Sequence, residues 1–144
     1  MPITQAEFAA IASRFHLGDV TPHAAFTDIA GHWAEEEIRR GATLGWVRGY
    51  TDGTFRPDQY ITRAEAMTLI NRMLLRLPET PEDLLPDMIR WPDNFDTQSW
   101  YYLAVQEATN SHDHTRKADG VYETWTVLNP VEDWTKYERQ TFWE

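Results

Sequence analysis

Apolar residues recur at helical spacing in two stretches of this chain, and both stretches open in the same way. They fall at Phe8, Ile11, Ala12 and Phe15 in the first, and at Ala66, Leu69, Ile70, Met73, Leu74 and Leu77 in the second. Such an i, i+3, i+4, i+7 stripe buries one face of a helix. Ahead of each stripe stands a Thr with a Glu three residues on, Thr4 with Glu7 and Thr62 with Glu65. This is capping-box spacing: the hydroxyl accepts the third helical N–H and the carboxylate reaches back to the cap's own N–H. Ile3 and Ile61, one residue earlier, are placed as hydrophobic staples. Helices are therefore predicted over about 4–16 and about 62–77.

A third copy emerges when the middle stretch is shifted by about 67 positions, a regular offset of the kind that marks stacked units. Trp33 lands on Trp100, Ile38 on Val105, Asp52-Gly53 on Asp119-Gly120, Phe55 on Tyr122, Ile61 on Leu128, Thr62 on Asn129 and Glu65 on Glu132. Asn129-Pro130-Val131-Glu132 reads as a further cap, with Pro at the first helical position, where its missing N–H costs nothing. The pattern divides the chain into the second helix of a partial first repeat (1–18), a complete repeat (19–78) and a degenerate repeat (79–144). The last carries an acidic insertion, Asp87, Asp93 and Asp96 around Trp91-Pro92.

Further helices are predicted over about 32–44, 97–110 and 130–142. Between them lie a turn-rich segment at 45–57 with Asp52-Gly53 at its centre, a Pro-rich linker at 78–82 and a loop from His112 to Thr126. The expected architecture is mainly α: short helix-loop-helix repeats.

Composition narrows the function. A net charge of −10 leaves no basic stripe to replace phosphate counterions, so nucleic acid is not an expected partner, although Arg39-Arg40 and Arg48 are local exceptions. With no cysteine, disulfides and thiolate metal sites are excluded. No stretch approaches the roughly 20 apolar residues of a membrane span, and Met1-Pro2-Ile3-Thr4 lacks the features of a signal peptide. A chain that starts in mid-repeat reads as a piece of something longer. An open repeat end also exposes an apolar helix face that a second copy would cover, so self-association is expected.

Neither a Gly-x-Ser-x-Gly elbow, a phosphate loop nor a His-Glu-x-x-His run is present, and the chain is read as non-enzymatic, with no cofactor. His112-Asp113-His114 with Asp119 has the residue types of a metal site. In a polar loop the same residues are read as solvated surface, and no metal is assigned.

Phe26-Thr27-Asp28, His32-Trp33-Ala34, Gly49 through Pro57 (GYTDGTFRP) and Ile61-Thr62-Arg63-Ala64-Glu65 resemble the successive signatures of the S-layer homology domain family. The likeness is close and ordered over 26–74 and partial over 3–16 and 85–142. It implies repeats packed around a pseudo-threefold axis, the first one truncated, in a module of bacterial surface proteins. It also implies an extracellular place at the cell wall and binding to a secondary cell-wall polymer, often a pyruvylated glycan, in grooves between repeats.

In that setting Arg63, at the first turn of a capped helix, is the expected partner of the ligand's carboxylate, offering a planar fork beside free N–H groups. Trp33 or Tyr50 would lie against a sugar ring, with Asp52, Gly53 and Thr54 hydrogen-bonding hydroxyls. Trp33 also reads as a core anchor, because Trp100 repeats it. Gln5 holds the position of Arg63 in the first copy and Pro130 in the third, while Lys117, Val121 and Glu123 stand where the middle repeat has Tyr50, Thr54 and Arg56. The alternative is a degenerate module used for protein contacts, through an exposed aromatic patch including Trp125, Trp134 or Trp143.

Overall fold

The structure, a computed structural model, describes residues 2–23 and 26–138. Its elements are α1 (Gln5–Ser13), α2 (Glu35–Thr43), α3 (Arg63–Leu74), a 3-10 turn (Pro81–Asp83), α4 (Tyr102–Thr109), β1 (His112–Arg116), β2 (Glu123–Leu128) and α5 (Thr135–Glu138). Among the described residues no helix is long and apolar enough to cross a membrane.

Both capping boxes form. Thr4 Oγ1 accepts the Glu7 N–H at 3.1 Å and Glu7 accepts the Thr4 N–H at 2.8 Å; the same pair of bonds joins Thr62 and Glu65 at 3.2 and 2.9 Å. The two staple segments also meet, because the Ile61 N–H donates to Ile3 O at 2.9 Å. α3 ends at Leu75, which takes a left-handed conformation with φ 51°.

Two cores result. Ala6, Ala9 and Ala12 of α1 pack with Ile29, Ala34, Ile38, Val47, Phe55 and Leu69, so the first helix and the middle repeat share one interior. Small residues on α1 allow the close approach. Leu84, Met88, Tyr102 and Trp125 form the second core, under the hairpin. The segment between α2 and α3 is held by Asp28, whose carboxylate accepts the N–H groups of Phe55 and Arg56 at 2.8 Å each.

The expectation of a mainly helical bundle with a pseudo-threefold arrangement is overturned in the third unit. Only 33% of the described residues are helical, and an antiparallel two-stranded sheet stands where a loop was expected. β1 pairs with β2 from His112↔Leu128 to Arg116↔Glu123, with a bulge between Asp113 and His114. The reason is local: Glu123-Thr124-Trp125-Thr126-Val127 is rich in β-branched and aromatic residues and buries alternate positions, Glu123 and Trp125, while Asp119-Gly120 supplies the turn, Gly120 at φ 73°.

The predicted cap at Asn129 fails for the same reason. The Asn129 N–H donates to Ser111 O and prolongs the extended pairing, so helix begins only at Thr135, where Asp133 accepts its N–H. The rest of the expected fifth helix, and Trp143, lie outside the described residues. Trp33 and Trp100 are not core anchors, being 64% and 65% exposed; the buried positions beside Trp33 are Ala34 and Ile38.

Candidate functional site

α3 separates two grooves. Helical geometry puts residues 63, 64 and 67 on one side of it and 65, 68, 69 and 72 on the other. The first groove, about 600 Å³, runs between Arg63, Ala64 and Met67 on one bank and Trp91, Asp93, Asn94, Tyr101, Val105 and Thr109 on the other. The second, about 650 Å³, lies between the far side of α3 and the segment Trp46–Thr51, with Gln5 and Trp100 also lining it.

In the first groove Arg63 stands at the open start of α3. Beyond the capping box, the N–H groups of Arg63 and Ala64 have no acceptor among the described residues, and Arg63 makes no ion pair there. A guanidinium beside free N–H groups at a helix start is an anion-binding arrangement. The opposite bank comes from the acidic insertion and α4. Trp91 is fixed there by its indole N–H, which donates to Thr109 Oγ1 at 2.8 Å, and Asn94 is buried, donating to Tyr102 O and Gln106 Oε1.

The second groove contains a hydrogen-bonded chain centred on Glu65. Gln5 Nε2–H donates to Glu65 Oε2 at 2.6 Å and Tyr50 Oη–H to Oε1 at 3.1 Å. Burial, and then the Glu65 charge, push the Tyr50 hydroxyl above its ordinary pKa. Unlike α3, α1 has a covered start: its Gln5 and Ala6 N–H groups donate to Gln59 O at 2.8 Å and Pro57 O at 2.9 Å.

Of the residues singled out in the sequence, Gln5 and Tyr50 are thus brought together, while Arg63 faces the other groove. Asp52, Gly53 and Thr54 line neither groove and build the turn. Asp52 Oδ1 accepts the Thr54 hydroxyl at 2.6 Å and the Thr54 N–H at 3.0 Å, and Oδ2 pairs with Arg56 at 3.2 Å. The Thr54 hydroxyl, then its N–H and Arg56, hold the Asp52 carboxyl at about 2. Arg56 lies over the Tyr50 ring, 3.8 Å from its centroid. Trp33 is outside both grooves, tilted against His32. Trp91, Tyr101, Arg48, Arg72 and Trp100 were not anticipated; the signals available were the aromatic Trp91-Pro92 inside the insertion and Arg48 as a cation in an acidic chain.

Of the residues read as a possible metal set, His112 and His114 both approach Glu123, His114 Nε2 at 3.6 Å, while the two aspartates are engaged elsewhere. Asp119 accepts the Val121 and Tyr122 N–H groups in the hairpin turn, and Asp113 bonds Asn129. His112 instead joins Glu107 and Glu123 in a buried cluster, its Nε2 3.1 and 3.3 Å from their oxygens and its ring stacked on Trp125. Arg76 supplies positive charge there, Nη2 lying 2.9 Å from His112 Nε2 and 3.1 Å from Glu107, and Nε 2.8 Å from Glu123. Burial lowers the His112 pKa, but the Glu107 contact and the Asn110 carbonyl outweigh it and leave it raised.

The S-layer homology domain model matches residues 25–67, which is the repeat holding α2, the Asp52 turn and the start of α3. Residues 25–67 are an S-layer homology domain. The chain is 35% identical over 124 residues to the Cellulosome-anchoring protein of Acetivibrio thermocellus, a match covering 82% of this chain and 26% of that protein. It is 39% identical over 100 residues to Cell surface glycoprotein 1 of the same organism, covering 60% of this chain and 4% of that one. Against the Outer membrane protein SlpA of Deinococcus radiodurans it is 50% identical over 60 residues, 40% of this chain and 5% of the relative. The chain therefore spans about a quarter or less of the length of these relatives. No solved structure matches it.

Proposed function

We propose that this S-layer homology module is a non-catalytic anchor that holds a larger bacterial surface protein to the cell wall by binding a secondary cell-wall polymer of the pyruvylated glycan type. The observation that carries the reading is Arg63, a guanidinium without an ion-pair partner among the described residues, at the uncovered start of α3 and facing aromatic side chains across a groove. A ketal-linked pyruvate presents a carboxylate that this fork and the free N–H groups would receive, and Trp91 or Tyr101 would lie along the sugar. The names of the relatives, an anchoring protein and surface proteins, support a place at the cell surface.

The test is co-sedimentation of the chain with Gram-positive sacculi before and after chemical removal of the secondary polymer, with Arg63→Ala alongside. Binding that needs both polymer and Arg63 is the expected result; retention by Arg63→Ala at wild-type level overturns the assignment of Arg63.

A second reading, contact with another polypeptide, draws on exposed apolar residues at the end of α1 and just after it, where Ile11 is 51%, Phe15 70% and Leu17 98% exposed. The aromatic patch expected for it is reduced, since Trp125 is buried in the second core while Trp134 is exposed. Concentration-dependent light scattering tests this reading, and a monomer at high concentration counts against self-association.

A further inference from the structure

We infer that Glu107, His112 and Glu123 form a site for a divalent cation of the zinc type, which locks the hairpin onto α4 and for which the Arg76 guanidinium is the built-in competitor. The inference is independent of the glycan reading and of both grooves.

The three side chains come from three elements, Glu107 from α4, His112 from β1 and Glu123 from β2, and each is 2% exposed or less. Backbone and core fix their directions. His112 Nδ1 lies 2.7 Å from the Asn110 carbonyl oxygen, which can only accept, so Nδ1 carries the proton and the Nε2 lone pair of the neutral ring points into the cluster. The ring is stacked on Trp125, whose indole N–H donates to Glu107 Oε2 at 2.7 Å and leaves Oε1 for the cluster. His112 Nε2 then stands 3.1 Å from Glu107 Oε1 and 3.3 Å from Glu123 Oε1.

Arg76 Nη2 caps this triangle, 2.9 Å from His112 Nε2, 3.1 Å from Glu107 Oε1 and 3.4 Å from Glu123 Oε1. It cannot satisfy all three atoms. With the ring neutral, the two N–H groups of Nη2 face three acceptors; with the ring protonated, an Nε2–H and an Nη2–H meet donor against donor. A cation at the centre answers three lone pairs together. The separations of 3.1 and 3.3 Å match those between ligands of a tetrahedral centre, about 3.3 Å for bonds of about 2.0 Å, and Nη2 stands where a water would be the fourth ligand.

One imidazole nitrogen and two carboxylates suit zinc and its first-row neighbours. Calcium, which takes about six to eight oxygens, is badly served by a buried site in which one carboxylate oxygen already holds an indole N–H. Arg76 is the exposed member of the four, its side chain 29% exposed. Its withdrawal toward solvent opens the way in, and it takes away one positive charge where the ion brings two.

The experiment titrates zinc calorimetrically into the chelator-treated chain and follows the Trp125 Nε1–H resonance in parallel. A single equivalent that shifts this resonance is expected, with affinity falling about tenfold or more in His112→Gln and rising about tenfold or more in Arg76→Ala, where the competitor is gone. Zinc should also raise the urea midpoint of Arg76→Ala more than that of the wild type, because the ion replaces the lost counter-charge. If Arg76→Ala is unfolded without metal, recovery of its circular dichroism on adding zinc is the same result. The gain in Arg76→Ala keeps the test decisive where His112→Gln fails to fold, since misfolding does not tighten a site. No binding by the wild-type chain, wild-type affinity in His112→Gln, or no gain in Arg76→Ala overturns the inference. Binding lost in His32→Gln, which removes the surface His32–Asp58 pair, and kept in His112→Gln is adventitious surface zinc and overturns it too.

Discussion

Gln5 donates its side-chain N–H to Glu65 Oε2 at 2.6 Å, and this bond ties the start of α1 to the start of α3. The carboxylate that closes one capping box thus serves the partner helix as well, and Tyr50 adds a third donor. Glu7, its counterpart on α1, accepts only from the Thr4 N–H among the described residues. Glu65→Ala should therefore cost about 2 kcal/mol and Glu7→Ala about 1 kcal/mol or less, from the usual worth of a cap and of hydrogen bonds to charged groups. Urea denaturation of both variants checks the difference; equal costs would show that the Gln5 and Tyr50 bonds add nothing.

That relationship also marks how far the sequence could be read. Capping boxes, staples and stripes are local, and they placed α1, α2 and α3 within a few residues. The groove chemistry is not local: Arg63 and Tyr50 lie close in the same repeat, yet α3 turns them to opposite sides, which becomes evident only once the helix is set against α4 and the 46–51 segment. In the third unit the repeat offset aligned Asn129 with Thr62 correctly as sequence, but strand pairing of Trp125 and Val127 with β1 overrode the cap. Non-local pairing of this kind leaves no short-range signal beyond the β-branched run itself.

Gly49 is required by space. A Cβ there would lie 2.3 Å from a Phe26 ring carbon and 2.6 Å from the Thr54 carbonyl oxygen, neither able to retreat from the core and the turn. Gly49→Ala should destabilise by about 2–3 kcal/mol through overpacking. Gly53→Ala, at φ 84° with only ordinary contact to Thr27, should cost about 1 kcal/mol through backbone strain alone. Thermal melts of the two variants order them, and a reversal would mean that the Phe26 ring gives way.

Arg76 holds two carboxylates that water barely reaches, the Glu107 side chain at 2% and the Glu123 side chain at 0% exposure. Removing it leaves them with the His112 ring, His114 at 3.6 Å from Glu123 and the Trp125 indole N–H on Glu107, and with no arginine. Arg76→Ala is expected to cost about 3–5 kcal/mol, the usual penalty for stranding a buried charge, and to fall on the hairpin and α4. The first core does not depend on this cluster, so amide exchange should accelerate in 112–128 before 5–13 or 63–74; uniform acceleration would show that the two cores unfold together.

Asp83 gives the third unit a defined acid limit. Burial disfavours its charge, but the Lys117 ammonium at 2.9 Å, the Thr124 hydroxyl at 2.8 Å and the N–H groups of Thr80 and Glu79 outweigh that and hold the carboxyl at about 2. Because the folded value lies below the unfolded one of about 4, the stabilisation is fully present above pH ~4 and disappears as pH falls through about 2. A shift of this size corresponds to roughly 2.5 kcal/mol. Asp83→Asn removes the titration, so its urea midpoint should fall less than that of the wild type between pH 5 and pH 2. Parallel loss in both proteins would mean that Asp83 titrates normally and that other carboxylates set the acid limit.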